Sequence, residues 1–142
     1  HRAFAIAGFF AGVSGGLAAI LFEIVTPEVL GASRSGTLLL FRHDEGSARI
    51  ELGYALGRAH WRQGIMREAI EAACSHAFEA LGIRRIEAEV NPDNVASCTL
   101  LTRVGFVLEG ALRKRWVAKG AAYDTNVYGC LVDEWLAGRA AG

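Results

Sequence analysis

Residues 49–69 read RIELGYALGRAHWRQGIMREA, and this stretch decides the fold class because two different periodicities meet in it. In its first half every second residue is apolar, and the residues that share one face of the resulting strand are Ile50, Leu52, Tyr54 and Leu56. From 64 to 81 the apolar residues recur at helical spacing, and Gly82 supplies a stop. The stretch therefore predicts a strand that leads into an amphipathic helix.

The residues that follow repeat this order. Residues 86–90 alternate apolar with charged side chains and predict a second strand. Asp93 or Asn94 can cap a second helix, which is expected to end at Gly105 because glycine commonly terminates helices.

Two more strands close the pattern. Residues 106–115 and 123–132 are rich in aromatic, aliphatic and β-branched side chains, and Lys119-Gly120 between them offers the glycine that a hairpin turn needs. The full order of elements predicts an α/β domain with a mixed sheet.

Size and composition restrict the class of protein. The 142 residues are enough for one domain with a sizeable core. Fifteen basic and fifteen acidic residues give a formal net charge of zero, which argues against a nucleic-acid partner. The three cysteines are widely spaced and form no CxxC pair, so neither a disulfide framework nor a metal site is predicted. These features favour a cytoplasmic protein.

The N-terminal residues are unusually apolar. Residues 4–22 read FAIAGFFAGVSGGLAAILF, in which Ser14 is the only polar side chain. Their length suits a membrane-spanning helix, and glycines at intervals of four would allow close helix packing. The alternative is two short strands broken at residues 14–16, since paired glycines also mark hairpins. We therefore keep open a membrane association through residues 4–22 and the formation of a homo-oligomer.

Residues 60–69 carry the clearest candidate for ligand binding. The first turn of a helix has unpaired N–H groups and a positive dipole end, which together bind phosphate groups. Gly64 would let the backbone approach such an anion, and Arg62 and Arg67 add positive charge. A simple turn into a helix is the alternative interpretation.

Three segments in order resemble the GNAT acetyltransferase superfamily, and within it the branch that acetylates the N-termini of ribosomal proteins. They are ARIELGYALGRAHWRQGIMREA, IEAEVNPDNVASCTLLTRVGF and YDTNVYGCLV, within residues 41–142. The resemblance implies acetyl-CoA as cosubstrate, with its pyrophosphate at residues 61–66 and its pantetheine arm along residues 54–57. The residues that it assigns to acetyl-CoA binding are Tyr54, Ala55, Leu56, Trp61, Arg62, Gln63, Gly64, Ile65, Met66, Asn94 and Ser97. Two positions depart from the family pattern, because Arg62 stands where glycine is usual and Leu101 where many members carry a tyrosine acid.

The N-terminal residues carry a different resemblance. Residues 1–40 resemble a segment of the permease subunit of branched-chain amino acid ABC transporters. The sequence is accordingly divided into a permease-like segment, 1–40, and a GNAT-like domain, 41–142. GNAT enzymes usually have more structure before the strand at residue 49, so their N-terminal half is expected to be abbreviated or replaced here.

The residues themselves suggest how acetyl transfer would proceed. Glu51 is the candidate general base, because it lies on the strand that leads to the acyl site and alternates away from the apolar set. Ser97 is the candidate hydrogen-bond donor to the leaving thiolate. A solvated glutamate and a local helix-cap serine are the competing interpretations.

The predicted function is N-acetylation of a primary amine, either a protein N-terminus or a small amine. Two alternatives remain open. One is a truncated, non-catalytic module that binds acetyl-CoA, and the other is a membrane-anchored fragment derived from a permease.

Overall fold

The computed structural model describes residues 5–14, 17–28, 31–56 and 64–141, with side chains mainly from 36–55 and 64–140. These ranges form one seven-stranded sheet and three helices. The strands are β1 (Ala5–Ser14), β2 (Leu17–Glu28), β3 (Gly31–Asp44), β4 (Arg49–Leu56), β5 (Arg85–Val90), β6 (Val107–Ala118) and β7 (Ala121–Leu131). The helices are α1 (Ile65–Glu79), α2 (Val95–Val104) and α3 (Val132–Ala141).

The sheet has the strand order β1-β2-β3-β4-β5-β7-β6 and contains one parallel pair, β4 with β5. The two parallel strands are paired only from Arg49 with Arg85 to Glu51 with Glu87. Beyond that point β4 continues toward Leu56 and pairs with β3, whereas β5 pairs with β7, and no ladder joins β4 to β5 in the described residues. The sheet therefore has a gap between the carboxyl ends of β4 and β5.

The described residues of the apolar N-terminal run, 5–14 and 17–22, form strands, so the membrane-helix interpretation of residues 4–22 is wrong for them. β1 pairs antiparallel with β2 from Ser14 opposite Leu17 outward, which confirms the alternative of two strands separated near the glycines. Cross-strand hydrogen bonds pair the backbone groups of the two strands with each other. The strands also avoid placing glycines inside a helix, where glycine lowers stability. No helix among the described residues has the length and apolar character to cross a bilayer.

The sheet continues across the boundary that the sequence suggested near residue 40. That position lies inside β3, which pairs with β2 on one side and β4 on the other. Leu38 and Leu40 are fully buried in the same core as Leu52. Residues 36–44 thus belong structurally with the strands on both sides of them.

One face of the sheet and the three helices share a single apolar core. We call this the core face; its strand residues are Leu38, Leu40, Ile50, Leu52, Ile86, Ala88, Val90, Tyr128 and Cys130. The apolar stripe predicted for α1 is buried, from Ile65 to Phe78. α3 was not predicted; its Trp135 is buried, with its ring centroid 5.7 Å from that of Phe78.

The opposite side of the central strands is called the open face, and it carries Glu51, Glu87 and Glu89. These residues alternate with buried neighbours along β4 and β5, as the sequence predicted. Residue periodicity thus determines which side chains meet on each side of the gap.

Candidate functional site

A pair of hydroxyl groups lies beside the gap on the core face. The hydroxyl of Tyr54, on β4, is hydrogen-bonded to the Oγ of Ser97, in the first turn of α2. Ser97 is buried, and its backbone N–H donates to the Oδ1 of Asn94 at 3.1 Å. Asn94 is thus the helix cap of the two candidates, and it fixes the turn that carries Ser97.

Burial keeps the Tyr54 hydroxyl protonated. Loss of solvent raises the pKa of Tyr54 above its ordinary value, and the hydrogen bond with Ser97 opposes that rise. At neutral pH the pair therefore consists of two neutral hydroxyls that can donate to an anion beside them.

Cys98 and Tyr128 lie near the Tyr54 hydroxyl, and Asn126 contacts Cys98 in turn; neither Asn126 nor Tyr128 was predicted from the sequence. The amide Nδ2 of Asn126 lies 3.9 Å from the Sγ of Cys98, which also approaches the carbonyl of Asn91 at 3.9 Å. The pKa of Tyr128 is raised, first by burial and then by its contact with Cys98. Asn126 and Tyr128 share the core face of β7, but strand alternation alone does not distinguish them from packing residues.

Glu51 lies on the open face at the start of the gap. Its side chain is only 15% exposed, and the Nη1 of Arg42 donates to its two carboxylate oxygens at 3.1 and 3.3 Å. Burial raises the pKa of Glu51, the Arg42 hydrogen bond opposes the rise, and the charges of Glu89 and Glu87 add to it. A carboxylate with a raised pKa accepts protons more readily than a solvated one.

The other two glutamates of the open face are held by arginines. Glu87 accepts from the Nε of Arg85 at 2.8 Å. Glu89 lies 3.9 Å from the Nε of Arg115 on β6, a partner that only the hairpin geometry reveals. The side chains of Glu87 and Glu89 are each 28% exposed, against 15% for Glu51, so Glu51 is the more buried candidate base, and burial raises its pKa.

The structure places the two predicted catalytic residues on opposite sides of the gap. Glu51 points to the open face, whereas Ser97 approaches from the core face through Tyr54. The two side chains thus lie on opposite faces of the sheet, beside the end of the β4–β5 ladder.

The start of α1 has the features that an anion site requires. Gly64 is exposed and left-handed with φ of 74°, and no side chain caps the helix. Its N-terminal N–H groups are therefore free of a side-chain cap. The side chains of Ile65 and Met66 are buried, so these two residues can offer a ligand only their backbone. Arg67 is bound to Glu71 at 2.9 Å and contributes less free charge than predicted.

Several predicted binding residues fall outside the described part of the chain. These are Trp61, Arg62 and Gln63, together with the side chain of Leu56. Ala55 is described and exposed on the same face as Glu51. Leu101, at the position of the family's tyrosine, is fully buried in the core.

A mixed sheet whose ladder ends early between two parallel strands, with a glycine-led helix after the first of them, defines the class of this α/β domain. The model of the GNAT acetyltransferase domain matches residues 11–107. The chain belongs to the GNAT acetyltransferase family. Acetyl-CoA is the cosubstrate that this family implies.

Individual relatives agree with the family match. An uncharacterised N-acetyltransferase of Bacillus subtilis, YoaA, is 48% identical over 80 residues, which is 56% of this chain and 45% of the relative. One of Bacillus licheniformis is 36% identical over 110 residues, or 78% of this chain and 59% of the relative. The chain thus spans about half the length of these curated relatives.

A solved structure extends the comparison to the fold. The ribosomal-protein-S5-alanine acetyltransferase of Vibrio fischeri superposes with a TM-score of 0.76 at 28% identity, over 82% of this chain and 63% of that one. The suggested permease resemblance of residues 1–40 is not supported, because the family match begins at residue 11 and β1 to β3 pair within the common sheet.

Proposed function

We propose that this chain transfers the acetyl group of acetyl-CoA to a primary amine, with Glu51 and Ser97 acting from opposite sides of the gap between β4 and β5. The observation that carries the proposal is this placement. A thioester laid through the gap meets a carboxylate on the open face and two neutral hydroxyls on the core face.

The cosubstrate would enter along the carboxyl end of β4. Its pyrophosphate fits the uncapped N-terminus of α1, where Gly64 leaves room for the backbone to approach an anion. Its pantetheine arm would pair with backbone groups of residues 54–56 that point into the gap. These groups have no β5 partner within the described ladder and would otherwise remain unpaired.

The reaction then requires one bond to form and one to break. The amine nitrogen attacks the carbonyl carbon of the thioester from the open face, a C–N bond forms, and the C–S bond breaks. The proton of the attacking nitrogen passes to Glu51, directly or through water, and Glu51 releases it to solvent; the thiolate takes one proton from solvent and leaves as the thiol. Backbone N–H groups of β4 stabilise the oxyanion that develops on the carbonyl oxygen.

The hydroxyl pair serves the leaving group. Ser97 donates a hydrogen bond to the departing sulfur, and Tyr54 donates to Ser97 in turn. Because burial keeps Tyr54 protonated, the pair remains a donor across the neutral range. The pair would thus replace the tyrosine acid that many family members carry where this chain has Leu101.

A peptide α-amine is the acceptor that we favour over a small amine. The Vibrio fischeri enzyme that shares the fold is described as acting on a ribosomal protein. An α-amine has a pKa of about 8, so a sizeable minority is already neutral at pH 7 and a weak base such as Glu51 is sufficient.

The test is transfer of acetyl from acetyl-CoA to a panel of peptides and small amines by the intact chain. We expect turnover with peptides, and Glu51→Gln should lower kcat by about 100-fold while coenzyme A affinity is unchanged. Coenzyme A binding without turnover on any acceptor would instead support the non-catalytic module.

A further inference from the structure

The long hairpin of β6 and β7 contains an irregular segment that the proposed mechanism does not use. Leu112 pairs with Thr125 and Trp116 with Tyr123, so three residues of β6 stand opposite the single residue Asp124. We call these three residues, Arg113, Lys114 and Arg115, the cationic bulge. They line an open cavity of about 770 Å³ at the edge strand of the sheet.

The backbone of the cationic bulge is held in an unfavourable conformation. Lys114 has φ of 50°, a left-handed value that side-chain-bearing residues rarely adopt. A side chain stabilises it, because the backbone N–H of Lys114 donates to the Oδ1 of Asp124 at 2.8 Å. Next to it, the rings of Trp116 and Tyr123 stack with centroids 4.9 Å apart. A strained backbone that neighbouring contacts hold in place is typical of functional segments, which makes the bulge a candidate binding site.

The charges of the bulge are compensated only in part, because the carboxylate of Asp124 lies at its centre, where it accepts from the backbone N–H of Lys114. Within the described part of the chain Arg113 and Lys114 form no ion pair, and Arg115 has only the 3.9 Å contact with Glu89. All three side chains are exposed. Three adjacent, exposed cations outnumber the carboxylates of Asp124 and Glu89 beside them, which makes an anionic group the complementary ligand.

One residue of the bulge, Arg115, is directed toward the open face, where the acceptor amine would lie. Arg115 reaches Glu89, which is two residues beyond Glu87, the register partner of Glu51. With strands about 4.8 Å apart and a rise of about 3.3 Å per residue, the guanidinium of Arg115 is about 10 Å from Glu51, and the bulge backbone about 20 Å. An extended peptide spans these distances in about three to six residues.

We propose that the cationic bulge binds carboxylate side chains of a peptide acceptor, about three to six residues beyond the amine that is acetylated. This inference rests on the proposed function and names its substrate class. The acceptor would place its cationic amine beside the carboxylates of Glu51 and Glu87 and its acidic side chains on the bulge. A polyamine does not fit this charge arrangement, because its second ammonium would meet the cations. Nucleic acid fits less well, since the whole chain has no net positive charge.

The test compares short peptides with the same N-terminal residues and with Glu, Gln or Lys at the third to sixth positions. We expect kcat/KM to be about tenfold higher for the Glu peptide than for the Gln peptide, through KM and with similar kcat. Exposed ion pairs are individually weak and screened by salt, so the preference should need all the charges and shrink at high salt. The Lys peptide should be the poorest acceptor.

The double variant Arg113→Gln/Lys114→Gln should lose this preference and keep the rate of wild type with the Gln peptide. Arg103→Gln removes an exposed arginine of α2 instead, and it should keep the full preference. An unchanged preference in the double variant, or equal kcat/KM for the three peptides in wild type, overturns the inference. An RNA oligonucleotide that inhibits acetylation of the Gln peptide more strongly than the Glu peptide does would also overturn the inference.

Failure of the proposed function gives a different result. If no peptide is acetylated, binding of the labelled Glu peptide can still be followed by fluorescence anisotropy. If the Glu peptide binds wild type and Arg103→Gln but not the double variant, the bulge is a binding site even without catalysis. Equal binding of all three peptides to wild type would refute the bulge site.

Discussion

Replacing Gly64 by valine should weaken coenzyme A binding by about tenfold or more, because a side chain at the start of α1 keeps the pyrophosphate from the backbone. Among the residues that the structure describes, no atom lies within 4 Å of the position of an added Cβ, so the first carbon of the new side chain has space. The loss of stability that we expect comes from the backbone, whose φ is 74°.

The size of that loss follows from the conformation. A left-handed conformation costs a residue with a side chain about 1–2 kcal/mol relative to glycine. For a domain of this length such a loss lowers Tm by about 3–8 °C. A fold of marginal stability can tolerate this, so the variant should remain folded and its affinity measurable.

Gly82→Val is the matched control. Gly82 follows the other end of α1, has φ of 67°, and also has no atom within 4 Å of an added Cβ. The Tm of the two variants should therefore fall by similar amounts in thermal unfolding. Only Gly64→Val should lose affinity when coenzyme A is titrated by calorimetry. Unchanged affinity in Gly64→Val, or an equal loss in both variants, would refute the pyrophosphate site.

Three further predictions concern the gap and the sheet. The rate defect of Glu51→Gln should shrink as pH rises past about 8, where the α-amine is already neutral, and a defect constant from about pH 6 to 9 would indicate a structural role. Tyr54→Phe and Ser97→Ala should each lower kcat less than Glu51→Gln does. The kcat of the double variant should be little lower than that of Ser97→Ala, because both hydroxyls act through one contact with the sulfur. Additive losses in kcat would argue against the pair. Leu40→Ala should lower the free energy of unfolding by about 2–5 kcal/mol, measured with denaturant in a single transition. Leu39→Ala truncates the adjacent, partly exposed side chain and should lower it much less. Two separate transitions would show that β3 does not unite the sheet.

The central elements could be predicted because their signals are local. Alternation in 49–56, helical spacing after Gly64 and the Asn94 cap each depend on residues close in sequence, and the structure confirms all three. The apolar run 4–22 was ambiguous for a physical reason. Long apolar stretches satisfy the burial requirement of a membrane helix and of adjacent strands equally well, and only the pairing partner, here β3, decides between them.

The site could be predicted only in part, for a related reason. Strand alternation correctly placed Glu51 away from the core set. The contact of Tyr54 with Ser97 joins residues 43 apart in sequence, and the approach of Arg115 to Glu89 crosses the sheet. Such contacts depend on how strands are ordered in space, and the crossover that sets β7 between β5 and β6 has no local signature.

The placement of the two candidate residues on opposite faces explains why the proposed reaction would require a gap in the sheet. A base and a leaving-group donor that act on one carbonyl carbon must approach it from different directions, because the attacking nitrogen and the departing sulfur occupy different sides of the tetrahedral intermediate. A continuous sheet would keep Glu51 and Ser97 apart by a layer of paired backbone. The ladder between β4 and β5 ends at Glu51 itself, so the barrier is absent where the reaction needs it. In the proposed mechanism the same interruption leaves backbone N–H groups of β4 available for the oxyanion, and one feature of the topology would thus supply access, polarisation and the separation of Glu51 from Ser97.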